Sequence, residues 1–302
     1  MRITVYGAGA VGGYFGGRLA ATGYDVTFLA RGAQLAALQA NGLTLHSVDG
    51  DWSGPVSAVS ALADAPPPDL VLLAVKARDV ASAATDLAAH LTDTARVMAL
   101  QNGIGHIQVL QDALGPERVI AATAFIGARV ASPGVVRHSA AGFMRVGRWP
   151  EGSDPVISDL VQFLTNHGIK ATESSAIRDD MWKKLIWNCG FNGPSALTGK
   201  AIGPMLATPA SVILIRGLMA ETAAVGRARG ARLSDNIAQK TFGQTEGLAD
   251  FKTSMLQDVE AGRPIENDAF YGFVCREGKL ASVATPLSQQ VFDELARRFP
   301  TP

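Results

Sequence analysis

The chain has 302 residues, 47% of them hydrophobic and 18% charged, with 27 basic and 27 acidic side chains and a net charge of zero. That length favours two domains over one, and the even charge excludes the strong field that draws nucleic acid or an anionic membrane. Two cysteines, Cys189 and Cys275, are too few for a disulfide framework and fit reduced thiols in a cytoplasmic protein.

The chain enters the apolar run Ile3-Thr4-Val5-Tyr6 at once, so no signal peptide is expected. The run leads into Gly7-Ala8-Gly9-Ala10-Val11-Gly12 and then a helical stretch through Ala20. Strand, Gly-x-Gly-x-x-Gly turn and helix together form the dinucleotide-binding fingerprint. The first glycine permits the tight turn, the second lets backbone approach a pyrophosphate, and the third lets helix and strand pack closely. The pyrophosphate then meets free N–H groups and the positive end of the helix dipole.

Asp25–Leu29 reads as the second strand. An NAD site usually carries an acid near its end, about 20 residues past the glycines, for the ribose 2′-hydroxyl. No acid occurs from Val26 through Val48; Arg31 follows the strand instead. A guanidinium binds a 2′-phosphate through parallel hydrogen bonds, where a carboxylate would repel it. The expected cofactor is therefore NADP(H), against the alternative that Arg31 is a solvated loop charge.

Further along, a helix is predicted near Gly32–Ala40 and a strand near Leu43–Ser47. Asp69–Val75 is almost wholly apolar, as expected of a strand covered on both faces. Arg96–Leu100 and Val119–Ala124 read as further strands. From Phe125 to Val146, short antiparallel strands are predicted, separated at Ser132-Pro133-Gly134 and Ala140-Ala141-Gly142. A helix over Asp154–His167 and a strand over Ile169–Thr172 close this half. Alternating strands and helices predict an α/β class, a Rossmann-type doubly wound sheet over residues 1–173. From Ser174 helical periodicity takes over, at Asp179–Phe191, Ala210–Arg229, Asn236–Glu246, Thr253–Ala261 and Leu287–Arg298. Residues 174–302 are thus expected to form an all-helical domain. No apolar run there reaches the ~20 residues of a membrane span; Val212–Ile215 is bounded by Arg216 and reads as part of a buried helix.

Lys184, Asn188 and Asn192 recur every fourth residue among large apolar neighbours, which places them along one helix face. Polar groups in such a setting cost desolvation energy unless they find partners, which a hydroxyl- or carbonyl-bearing ligand supplies. Against this, Lys184 could snorkel to water, and Asn192, before Gly193-Pro194, could simply end the helix. Lys76 and Asn102 follow apolar strands, where loops often carry function, although Asn102-Gly103 is also a turn signal. Ser254, Asp258 and Glu266, each taken alone, fit a cap or solvated residue equally well.

Together these segments resemble ketopantoate reductase (2-dehydropantoate 2-reductase). The match runs through Gly7–Gly12, Arg31, Val75-Lys76-Ala77, Leu100-Gln101-Asn102-Gly103, Trp182-x-Lys184-Leu185-x-x-Asn188-x-x-x-Asn192, Ser254-Met255-Leu256-Gln257-Asp258 and Glu266. The resemblance implies NADPH-dependent reduction of ketopantoate to (R)-pantoate, a step of pantothenate biosynthesis. It implies that Lys184 is the general acid, with Glu266 holding the lysine network and substrate. It makes Asn188 and Asn192 donors to a substrate hydroxyl, Ser254 a carboxylate contact, and Lys76 and Asn102 cofactor and active-site residues. The expected partner is a small 2-oxo acid, with no nucleic acid, membrane or metal, and a homodimer is compatible with the family. Two departures stand near the substrate side. Gly193-Pro194 follows Asn192 where proline is expected directly, and Phe251 stands three residues before Ser254, where an asparagine can occur. Alternatives are a reductase of the same family acting on another 2-oxo acid, a 3-hydroxyacid dehydrogenase of the 6-phosphogluconate type, and a non-catalytic NADP sensor. The second would expect a glycine-rich stretch before its lysine, and residues 177–182 have none.

Overall fold

The structure is a computed structural model that describes residues 1–245 and 247–300. The chain divides into two compact units. One comprises Met1–Asn102 with His106–Ile177; the other comprises Gly103–Gly105 with the chain from Arg178 onward.

The first unit is built on one ten-stranded sheet. Strands β1 (Ile3–Tyr6), β2 (Val26–Leu29), β3 (Leu43–Ser47), β4 (Trp52–Gly54), β5 (Ser57–Val59), β6 (Leu70–Leu73), β7 (Arg96–Ala99), β8 (Val119–Ser132), β9 (Val135–Gly147) and β10 (Lys170–Glu173) form it. The order is β4-β3-β9-β8-β7-β6-β1-β2-β5, with β10 also on β9. From β8 through β5 the neighbours are parallel. β2 and β6 are buried at every position, as expected when helices cover both faces. Val5, Phe28, Leu72, Met98 and Ile120 meet in the core with Phe15 and Leu19, which lie on helix α1 (Ala10–Ala21). Each such side chain contributes about 1.5–3 kcal/mol on leaving water.

The antiparallel extension is one long hairpin, not the series of short strands expected from residues 125–146. β8 and β9 pair from Ala121↔Gly147 to Ser132↔Val135. Only Ser132-Pro133-Gly134 is a turn. The second break is a bulge: Phe125 faces Phe143 and Ile126 faces Ala141, leaving Gly142 as the extra residue with φ 90°. A bulge bends a strand without ending it. On its other edge, β9 pairs with β3 over Val135–His138 and with β10 over Phe143–Val146, one partner on each side of the bend.

Four more helices belong to this unit: α2 (Gly32–Asn41), α3 (Val80–His90), α4 (His106–Leu114) and α5 (Pro155–Asn166). The Asp154 carboxylate caps α5 by accepting from the Val156 N–H.

The second unit contains α6 (Ile177–Thr198), α7 (Ile202–Leu206), α8 (Pro209–Ala228), α9 (Ile237–Gly243), α10 (Ser254–Glu260), a π-helical turn (Asp268–Gly272), α11 (Phe273–Leu280) and α12 (Pro286–Arg298). The expected helix over Asn236–Glu246 ends at Gly243, and Glu246 lies outside the described residues. The expected helix over Asp179–Phe191 continues seven residues further, to Thr198, with Pro194 inside it. By length and composition α8 is long and apolar enough to cross a membrane, although no unbroken apolar run marks it in the sequence. It packs with α7, α9, α11 and α12. Its Glu221 carboxylate accepts from the Leu287 and Ser288 N–H groups, each at 2.8 Å, and from the Ser288 hydroxyl at 2.7 Å. Thr285, at the N-cap of α12, makes no side-chain cap, so Glu221 satisfies those first-turn donors from another helix.

Candidate active site

The predicted site residues fall into two groups, one in each unit. Gly7–Gly12, Arg31, Lys76 and Asn102 lie in the first; Lys184, Asn188, Asn192, Ser254 and Glu266 lie in the second.

The three fingerprint glycines have three separate physical causes. Gly7 has φ 106°, and a Cβ there would stand 2.9 Å from the Ala74 carbonyl carbon. A Cβ on Gly12 would overlap the Gly7 carbonyl oxygen and lie 2.8 Å from Val5 Cγ1. At Gly9 a Cβ would meet nothing within 4 Å. Gly7 and Gly12 are therefore required by the protein itself, while Gly9 keeps a surface clear beside the helix entrance. Gly9 is the N-cap of α1, and no side chain caps that helix. The turn thus fits a dinucleotide pyrophosphate, with the N–H groups of the first turn as its donors.

Arg31 is exposed at the N-cap of α2, directly after β2. Lys76 follows β6 and precedes a short 3₁₀ turn, Ala77–Asp79. Asn102 follows β7 and is half-buried. Its neighbour Gln101 is buried; Nε2 donates to the Leu73 carbonyl at 3.0 Å, pinning the loop after β7 to the end of β6. The Gln101 Oε1 is buried without a hydrogen-bond partner. Burial of one amide atom has no local sequence signal, so the sequence does not mark Gln101 as a site residue.

In the second unit, helix α6 and the segment around α10 hold a linked polar cluster. Lys184 is half-buried among apolar residues. Desolvation of its ammonium pushes its pKa down to about 8, and the negative charge of Glu266 opposes the shift. One and two turns on, Asn188 and Asn192 are buried, with 6% and 1% exposure. Asn192 Nδ2 donates to the Asn188 backbone carbonyl at 3.2 Å and to Asn188 Oδ1 at 3.3 Å. Asn192 Oδ1 accepts from the Ser254 hydroxyl and the Met255 N–H, both at 3.2 Å. A backbone N–H can only donate and a carbonyl can only accept, so these contacts set the orientation of both amides. Asn192 has used its full hydrogen-bonding capacity. Asn188 is left with Nδ2 buried and without a partner.

The reading of Asn192 as a helix C-terminal residue fails, because α6 passes through it. Its side chain holds the N-terminus of α10, where Thr253 caps the Leu256 N–H. Asp258, buried on α10, accepts from Arg263 Nε at 2.9 Å. The Asp258 carbonyl takes the Arg263 N–H at 2.8 Å. This pair forms the turn that leads to Glu266. Phe251 stands against Trp187, with ring centroids 6.1 Å apart in an edge-to-face arrangement.

Comparisons with known proteins agree with this architecture. The family profile described as ketopantoate reductase PanE/ApbA matches residues 3–151, and that described as ketopantoate reductase PanE/ApbA C terminal matches residues 176–298. The 2-dehydropantoate 2-reductase of Mesorhizobium japonicum is 33% identical, with 99% of this chain and 97% of that protein covered. A crystal structure of 2-dehydropantoate 2-reductase from Geobacter metallireducens superposes with a TM-score of 0.93 at 31% identity, covering 99% of this chain and all of that one. D-mandelate dehydrogenase, solved with NADH and anilino(oxo)acetate, shares the fold with a TM-score of 0.92. It is 21% identical, with 99% of this chain and 98% of that chain covered. On the two family matches and the identity sustained along its length, the chain belongs to the ketopantoate reductase PanE/ApbA family of oxidoreductases.

Proposed function

We propose that this chain reduces the 2-oxo group of ketopantoate to give (R)-pantoate, with NADPH as reductant, as a step of pantothenate biosynthesis. The observation that carries the reading is the pairing on α6 of a desolvated ammonium, Lys184, with a buried amide donor lacking a partner, Asn188 Nδ2. Both requirements suit a ligand that carries a carbonyl and a second oxygen.

When bound, the reduced nicotinamide supplies a hydride to the substrate carbon. The negative charge that develops on the carbonyl oxygen needs a donor close by. The Lys184 ammonium stabilises that charge and then gives up its proton, which a pKa of about 8 makes favourable near neutral pH. Glu266 keeps enough of the lysine protonated to act as the acid. Asn188 donates through Nδ2 to a substrate oxygen. Asn192 does not reach the substrate; it orients Asn188 and Ser254. Because the Ser254 hydroxyl donates to Asn192 Oδ1, Ser254 offers lone pairs, which suit a substrate hydroxyl. A carboxylate contact requires that hydroxyl to turn away, leaving Asn192 with the Met255 N–H. In the first unit, the first turn of α1 holds the pyrophosphate, Arg31 the 2′-phosphate, and Lys76 and Asn102 the nicotinamide end.

A second reading within the same family, reduction of a 2-oxo acid with an apolar substituent, is supported by Phe251 packed on Trp187, the residue before Asn188. One assay decides between them. NADPH oxidation is followed with ketopantoate and with a panel of 2-oxo acids bearing aliphatic or aromatic groups. A kcat/KM for ketopantoate at least tenfold above the others supports the first reading. A preference for an aromatic or branched acid supports the second. No turnover of any 2-oxo acid overturns both.

A further inference from the structure

A buried side chain bonds to the backbone of helix α6 at the turn that carries the two asparagines. In an unbroken helix the Gly193 N–H would bond directly to the Cys189 carbonyl. Here the hydroxyl of Tyr271 joins them: it accepts from the Gly193 N–H at 2.8 Å and donates to the Cys189 carbonyl at 2.6 Å. The next rung is missing altogether, since Pro194 has no N–H to offer Gly190. Between Asn188 and Pro194 the helix backbone is thus bound by a side chain at one rung and lacks the next. Tyr271 is fully buried, and its ring needs the space that glycine leaves. A Cβ on Gly193 would stand 2.5 Å from the hydroxyl and 2.7 Å from Cζ. The unexpected Gly193-Pro194 pair therefore has a structural counterpart 78 residues away.

Tyr271 sits on the π-helical turn Asp268–Gly272, five residues after Glu266, and Asp268 is paired with Arg276 at 2.5 and 3.0 Å. One side chain thus ties the segment that carries Glu266 to the turn of α6 that carries Asn188 and Asn192. We infer that Tyr271 is a positioning residue for substrate recognition, bracing the α6 turn so that Asn188 Nδ2 is presented at a set distance from the Glu266 segment. The inference rests on the reading of Asn188 as a substrate donor. Tyr271 itself acts only through Asn188 and Asn192.

Tyr271→Phe keeps the ring and removes both hydrogen bonds, so that the α6 turn loses its tie to the Glu266 segment. The expected result is a KM for the preferred 2-oxo acid raised about tenfold, the equivalent of one hydrogen bond of about 1.4 kcal/mol. The KM for NADPH and the pH at which kcat declines stay unchanged. In an Asn188→Ala background the same substitution should leave the substrate KM where Asn188→Ala put it, because the two residues act in series. Equal proportional losses in both backgrounds, or a fall in kcat and melting temperature with substrate KM intact, overturn the inference. Should Tyr271→Phe not fold, Gly193→Ala displaces the hydroxyl and is expected to raise the same KM; an unchanged KM there overturns it as well. Absence of turnover in the wild-type chain overturns the underlying functional reading, and is distinguishable because it appears before any variant is made.

Discussion

Asn192 Nδ2 lies 3.2 Å from the backbone carbonyl of Asn188 and 3.3 Å from its side-chain oxygen, so it donates to that residue once at the backbone and once at the side-chain amide. The consequence is a division of labour between two residues that look equivalent in sequence. Asn192→Ala would leave the buried Met255 N–H without its acceptor and release Asn188. A loss of about 1–3 kcal/mol in stability is expected, read by urea or thermal denaturation, together with a raised substrate KM. Asn188→Ala removes a donor that the folded protein does not itself satisfy. Its stability should change by less than that of Asn192→Ala, while the substrate KM rises at least as much. Equal destabilisation by the two substitutions would contradict this assignment.

The ammonium of Lys184 is the acid of the proposed reaction, so activity follows its protonated form. With its pKa lowered from the usual 10.5 to about 8 by burial, kcat for reduction should be level below that pH and fall as pH rises through about 8. Glu266→Gln removes the charge that opposes the shift, so the declining limb should move to lower pH. Lys184→Ala should lower kcat by at least ~10², the lower range for positioned proton transfer, with NADPH affinity little changed. A pH–rate profile on the three proteins checks all of this, and a limb that stays in place in Glu266→Gln would remove that carboxylate from the network.

Gly9 and Gly12 should respond oppositely to alanine. Gly12→Ala places a methyl group on the Gly7 carbonyl oxygen, so soluble yield or melting temperature should drop. Gly9→Ala meets nothing in the protein and should fold with an unchanged melting temperature. Its dissociation constant for NADPH, measured by fluorescence or calorimetry, should rise sharply because the methyl group stands where the pyrophosphate approaches.

Arg31→Ala tests cofactor choice. Charge-assisted hydrogen bonds contribute about 1.5–3 kcal/mol, so NADPH binding should weaken by about 10–100-fold while NADH binding changes little. Equal losses for both cofactors would assign Arg31 another task.

Much of the first unit was legible because its signals are local. Leu43–Ser47 was expected and is observed with the same bounds. The run Asp69–Val75 contracts to Leu70–Leu73; Ala74 still donates its N–H to the Tyr6 carbonyl at 2.9 Å, and the Ala74–Val75 backbone forms the wall against Gly7. The short strands Trp52–Gly54 and Ser57–Val59 were not anticipated; at three residues each, alternation has too few positions to be seen. The π-helical turn and α11 were also missed, and with them Tyr271. The early end expected for α6 came from reading Gly193-Pro194 as a breaker, which is correct for an isolated segment. In the folded protein α6 nevertheless continues to Thr198.

The sequence alone determined the glycine turn, the guanidinium after the second strand and the spacing of Lys184, Asn188 and Asn192, because each depends on neighbours within a turn or a strand. Tertiary structure decided which amide is engaged and which is not, and which side chain meets the α6 backbone just before its proline. The groups responsible, Met255 and Tyr271, lie 63 and 78 residues from their partners. Hydrogen bonds over such separations form only once the chain has folded, so no periodicity or spacing in the sequence records them.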